Sequence, residues 1–196
     1  MSSIMPSIEI ETFYPRSKKE WRNWLAKNHL KKDAVWLVCY KKNADKPTIT
    51  WSESVDEALC FGWIDSIKKK LDEERSIQFF SKRKPKSTWS RINKEKVIKL
   101  IENGLMTEAG LNCINIAKQN GSWEILDIVE DLTMPGDLEK ALKTKTNALN
   151  YFLSLSKSVR KAMLQWLVLA KRPETRQKRI DEIVEKASKN QKPKQF

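Results

Sequence analysis

The feature that most constrains this chain is a change of hydrophobic period near residue 90. Before it, apolar residues alternate or run in short blocks bounded by turn residues. After it, they recur at helical spacing almost to the C-terminus. A period of two builds strands and a period of 3.6 builds helices. Strands first and helices after predict an α+β fold. The expected form is a small, mostly antiparallel sheet in the N-terminal half, packed with helices, and a helical bundle in the C-terminal half. A length of 196 residues is ample for a buried core.

The elements follow from local signals. Ile8, Ile10 and Thr12 alternate with polar or aromatic neighbours and predict a first strand ending near Pro15. Ser17 caps a helix, with Glu20 at the capping-box position and Trp21, Trp24 and Leu25 on one face. Residues 35–41 are rich in strand formers, and residues 48–51 predict a further short strand. Ser52 then caps a helix that Gly62 terminates, with Val55, Ala58 and Leu59 facing inward. Residues 63–70 and 75–81 read as a hairpin around Leu71-Asp72-Glu73-Glu74. Helices are expected from Ser90, Thr107, Pro135 at the first helical position, Ser156 and Pro173. Residues 1–89 would form the sheet region, and 90–187 a helical region making one compact unit with it. Residues 188–196 would be a disordered tail.

Composition removes several function classes. Cys39, Cys60 and Cys113 are odd in number and far apart, unlike a disulfide framework or a cysteine-rich zinc site. His29 is the single histidine, which argues against a histidine metal centre or a Ser-His-Asp triad. The five glycines stand alone, so no phosphate-cradling loop or nucleophile elbow can be written. No apolar run approaches the ~20 residues of a membrane span, and residues 1–11 do not read as a signal peptide. A cytoplasmic protein without metal or cofactor is the expectation.

Charge is patterned. The net charge is +13, with about +8 in residues 66–99, −4 in 100–153 and +8 in 154–196. Basic segments flanking an acidic one suit an anionic small molecule, an acidic partner or nucleic acid, although many single lysines simply solvate a surface.

Four stretches are more specific: residues 12–29 (TFYPRSKKEWRNWLAKNH), 58–66 (ALCFGWIDS), 83–110 (RKPKSTWSRINKEKVIKLIENGLMTEAG) and 170–180 (AKRPETRQKRI). Together they resemble the YdeI/OmpD-associated family, also called bacteriocin-protection proteins. The resemblance runs from about residue 12 to about 187 and is thin over 123–150. It implies a small bacterial protein linked by name to envelope stress and antimicrobial-peptide resistance. It carries no catalytic mechanism and no functional residues to transfer.

Candidate sites come from the residues themselves. Cys60 sits in the last turn of its helix, where the dipole disfavours a thiolate, and Asp56 at i−4 would raise its pKa further; it reads as a packed thiol. Asp65 would share a strand face with Trp63 and Ile67. It either pairs with a lysine or arginine of the fold or faces a ligand, where it would be the one candidate acid or base. Residues 79–91 interleave cations, aromatics and hydroxyls before a helix start, so Arg83, Ser87 and Ser90 could hold an anion against Trp63 and Trp89. Arg176 lies on the apolar face of the last helix, and Arg172 gathers with other cations at that helix's start. Both fit an anion site, and Arg176 fits equally a bridge to a carboxylate of the body. The hairpin around Gly104 has a DNA-binding outline. Its second helix carries only Glu108 and Lys118 as charges, too few for reading bases. The reading is a non-catalytic protein that binds an anionic ligand or partner in a basic, aromatic-lined groove. Nucleic-acid binding through the same segments is the first alternative, and an enzyme using Asp65 on a small anionic substrate the second.

Overall fold

The computed structural model describes residues 10–196, so the predicted strand residue Ile8 lies outside the described residues. They form two compact units, residues 10–87 with 92–120 and residues 88–91 with 121–196. The expected division at residue 89 thus gives way to one at Asn120-Gly121.

The first unit runs β1 (Thr12–Phe13), α1 (Lys18–Asn28), β2 (Ala34–Tyr40), α2 (Trp51–Cys60), β3 (Trp63–Lys70), β4 (Arg75–Lys82), α3 (Arg91–Glu102) and α4 (Glu108–Gln119). The sheet order is β1-β2-β4-β3. β1 pairs parallel with β2 because α1 carries the chain back across the sheet, and the other two pairings are antiparallel. The sheet is therefore mixed but mostly antiparallel, and the α+β class holds.

Alternation along β2 and β4 gives the sheet two unlike faces. Val35, Leu37 and Phe80 are fully buried beneath α1 and α2, where Trp21 and Leu25 meet them. Phe13 stacks on Trp21 and Trp24 from the edge strand. The opposite face carries Trp36, Val38, Ile77 and Phe79, all only partly buried.

Three local readings change. Residues 48–51 form no strand. The side chain of Thr50 accepts the Glu53 N–H while Glu53 accepts the Thr50 N–H, a capping box that starts α2 before Ser52. At α1, Ser17 does cap, but the Glu20 carboxylate receives the Arg16 N–H at 2.9 Å. A bulge between Asp65 and Lys68 breaks the pleat of β3, so Ile67 is exposed and does not share a buried face with Trp63.

α3 and α4, read from sequence as part of the helical half, belong with the sheet. The reason lies in glycine. Gly110 lets α4 settle on the Cys60 carbonyl, which a Cβ there would strike. That carbonyl accepts hydrogen bonds from Thr107 N–H at 3.1 Å and Thr107 Oγ1 at 2.6 Å.

The second unit holds α5 (Asp127–Glu130), α6 (Gly136–Lys143), α7 (Ala148–Ser154), α8 (Lys157–Val168) and α9 (Pro173–Ser188). Leu138, Leu142, Phe152, Leu164, Leu167 and Ile183 centre its core. Pro135 is the N-cap of α6 rather than its first helical residue. α5 and α7 were not expected; both are short and neither has a side-chain cap. Residues 189–196, expected to fray, lie against the helices: Phe196 meets Trp166 edge-on at 5.7 Å and Pro193 is buried.

Candidate functional site

The first unit encloses an open cavity of about 760 Å³. Four chain segments reach it: the end of α1, the α2–β3 turn, the end of β4 and the N-terminal half of α4. Gly62 makes the geometry possible. It takes φ +72° at the end of α2, and a Cβ there would stand 2.6 Å from the Cys113 sulfur. Its carbonyl accepts the Arg83 N–H at 2.9 Å, tying the start of β3 to the residue after β4.

The walls are aromatic. Trp63 is buried, meets Trp24 edge-on and donates its indole N–H to the His29 carbonyl at 3.3 Å. His29 packs over Phe61 at 5.1 Å, and its Nδ1 lies 2.9 Å from the Leu25 carbonyl. Asn112, Asn115 and Glu108 supply polar groups from α4.

Arg83 is the charged centre. Its side chain lines the cavity at only 9% exposure. Burial draws the guanidinium down to about 10, and the Cys113 thiol and the Asp65 carboxylate pull the other way. A guanidinium so buried gains from any anion that comes within hydrogen-bond reach, since low dielectric strengthens the pair. Burial also raises the Cys113 thiol, an effect that Arg83 partly offsets. Lys82 at the rim is occupied with Asp33 at 2.9 Å and the Leu30 carbonyl at 3.0 Å.

Of the residues singled out in the sequence, Trp63 and Arg83 meet in this cavity. Ser87 closes the turn after Arg83, with its N–H on the Lys84 carbonyl at 2.9 Å, outside the cavity lining. Trp89, Ser90, Arg172 and Arg176 belong to the second unit. There Trp89 is buried against Trp123 at 4.9 Å, Ser90 immediately precedes α3, and Arg172 is the exposed N-cap residue of α9. Arg176 forks onto Asp137 at 2.6 and 3.0 Å and also reaches the Leu167 carbonyl. That is the carboxylate bridge that explains an arginine on an apolar helix face.

Asp65 makes no direct ion pair among the described residues, although its charge acts on Arg83. Its Oδ2 accepts from the Trp51 indole at 2.9 Å and the Gln78 amide at 3.3 Å, and it is not a lining residue of the cavity. Cys60 is fully buried, and burial raises its thiol with a smaller push from Glu57. Asp56, expected to act on it, is bound to Lys96 at 2.5 Å.

Sequence reasoning missed Glu57, which is buried and gathers Arg22 at 2.7 Å and Lys18 at 3.4 Å. It also missed His29, Cys113 and the two asparagines as cavity residues. They come from segments far apart in the chain, and only Gly110 inside a helical pattern marked a close approach. Among the described residues no cluster of His, Cys, Asp and Glu is arranged to hold a metal ion. No described helix is long and apolar enough to cross a membrane.

These features define a two-unit α+β protein: a sheet-bearing unit with a recessed cation beside an aromatic cavity, and an all-helical unit. The chain belongs to the family described as Domain of unknown function (DUF8412), which it matches over residues 13–113. Residues 131–190 match the family Bacteriocin-protection, YdeI or OmpD-Associated, the one the sequence resembles. Three of the four resembling stretches fall on the first match, and the second match extends into the region where the resemblance looked thin. No curated protein and no solved structure matches the chain.

Proposed function

We propose that the chain is a non-catalytic, cytoplasmic protein of the YdeI/OmpD-associated type that binds a small anionic ligand in the cavity of its first unit. The observation that carries this reading is Arg83, a buried guanidinium lining an open cavity. Trp63 and Phe61 would cover an apolar or planar body, and Asn112 and Asn115 would orient polar substituents. The volume falls within the ~300–1,000 Å³ usual for small-ligand sites. Three free cysteines fit a reducing compartment. A net charge of +13 repels a cationic peptide, which favours a small anion over direct capture of such a peptide.

The test is a thermal-shift panel of phosphate, pyrophosphate, citrate and nucleoside phosphates at low and moderate salt. A ligand bound to the native state raises the melting temperature with concentration. One class of anion should do so in the intact chain and fail to do so in Arg83→Met. Equal shifts in both proteins, or none in either, would remove the reading.

A further inference from the structure

The sheet face opposite α1 and α2 is a second feature, independent of the cavity. Its central strands present Trp36 and Phe79, whose rings lie 4.9 Å apart at 67°. Both are partly exposed, as are Val38 and Ile77 beside them. Their neighbours on the covered face, Val35, Leu37 and Phe80, are fully buried, so the contrast belongs to the two faces and not to the strands. Lys69, exposed on β3, places its ammonium 5.1 Å from the centre of the Trp36 ring.

The charge of these strands is one-sided. Among the described strand residues Asp65 is the one acid, and it pairs with Phe80 on the covered face. Lys69 and Arg75 stand on the open face, opposite Ile77 and Tyr40; Arg75 is engaged by Asp72 of the turn at 2.6 Å, so Lys69 is the cation the face itself offers. Lys41, Lys42 and Lys46 lie in the loop after β2, all exposed, with Asp45 the one acid among them.

We propose that this open face binds single-stranded nucleic acid. Rings on adjacent central strands offer stacking platforms for unpaired bases, and every base has a π-face to stack. The lysines meet the phosphates. Lysines outnumber acids on and around this face, where Asp72 is held by Arg75 and Asp45 sits in the lysine-bearing loop, and Coulomb attraction to that excess favours a polyanion over a neutral or basic protein surface. A duplex hides its bases from such a platform, so the face selects single strands.

The experiment is anisotropy titration of the intact chain with labelled oligothymidylate and oligouridylate of about 12 nucleotides, and with a duplex of equal length. It is run at two salt concentrations for the wild type, Trp36→Ala and Lys69→Glu. Lys69→Glu alters an exposed position, so it keeps the test valid should Trp36→Ala fold poorly. The expected result is single-strand binding that weakens with salt, exceeds duplex binding and falls roughly tenfold or more in each variant. The two oligonucleotides decide between RNA and DNA. No single-strand binding, binding unchanged in both variants, or equal duplex binding would overturn the proposal. So would a Trp36-dependent dimer in sedimentation that excludes the oligonucleotide. Because Arg83 lies outside this face, the proposal can fail while the cavity reading stands.

Discussion

At the scale of single residues, one buried carboxylate draws two partly exposed cations to the first unit's core. Glu57 is held by Arg22 and Lys18, and Arg22 also reaches the Leu105 carbonyl and lies over Phe61. Only Glu57 is buried; Lys18 and Arg22 are a third or more exposed and can turn to water when it is removed. Glu57→Gln should cost about 1–2 kcal/mol in chemical denaturation, because both cations keep access to water; an unchanged midpoint would show that water compensates the pair fully. Cys60 makes a complementary case. Its thiol is buried and its pKa raised by burial, so it should resist a thiol reagent at neutral pH while the protein is folded. Rapid labelling there would contradict a packed role. Neither residue was equally legible beforehand. Cys60 declared itself by helix position, whereas Glu57 reads as one more charge on an amphipathic helix until Arg22, 35 residues earlier in the chain, is brought beside it.

At the scale of elements, boundaries were legible wherever a side chain competes for backbone hydrogen bonds. Ser17, Thr107 and Ser156 all cap the helices they announce, and the β3–β4 hairpin turns where its acidic loop said it would. The errors arise where two signals compete. Thr50 and Ser52 both suit a cap, and the reciprocal bonds of Thr50 and Glu53 decide it. Thr50→Ala should therefore cost about 1 kcal/mol, with Ser52→Ala close to neutral. Reversed costs would move the helix start back to Ser52. In the second unit, Arg176 holds the Asp137 carboxyl below its usual range through their hydrogen bonds. A depressed carboxyl stabilises the fold above its unfolded pKa, and that contribution disappears as pH falls through the lower folded value. Melting temperature should thus fall below about pH 4, and Asp137→Asn should flatten that fall. A variant with the wild-type acid profile would show the pair to be fully screened.

At the scale of the whole molecule, the fold class was written in the change of hydrophobic period, but the partition into units was not. Helical periodicity begins at α3, yet compactness assigns α3 and α4 to the sheet, because packing depends on which surfaces fit and not on which period they follow. The cavity was half legible for the same reason. Trp63 and Arg83 stood out by type and setting, while His29, Cys113, Asn112 and Asn115 become neighbours only once α4 approaches the α2–β3 turn. The central claim is that Arg83 holds the charge of a small anion in that cavity. Calorimetric titration of the intact chain against the anion found to stabilise it tests this most directly, beside Arg83→Met and Arg83→Lys at matched melting temperature. The account predicts one bound anion, affinity roughly ten- to a hundredfold weaker in Arg83→Met, partial retention in Arg83→Lys, and binding that fades as pH rises through about 10. Undiminished binding in Arg83→Met, or binding indifferent to that titration, would contradict it.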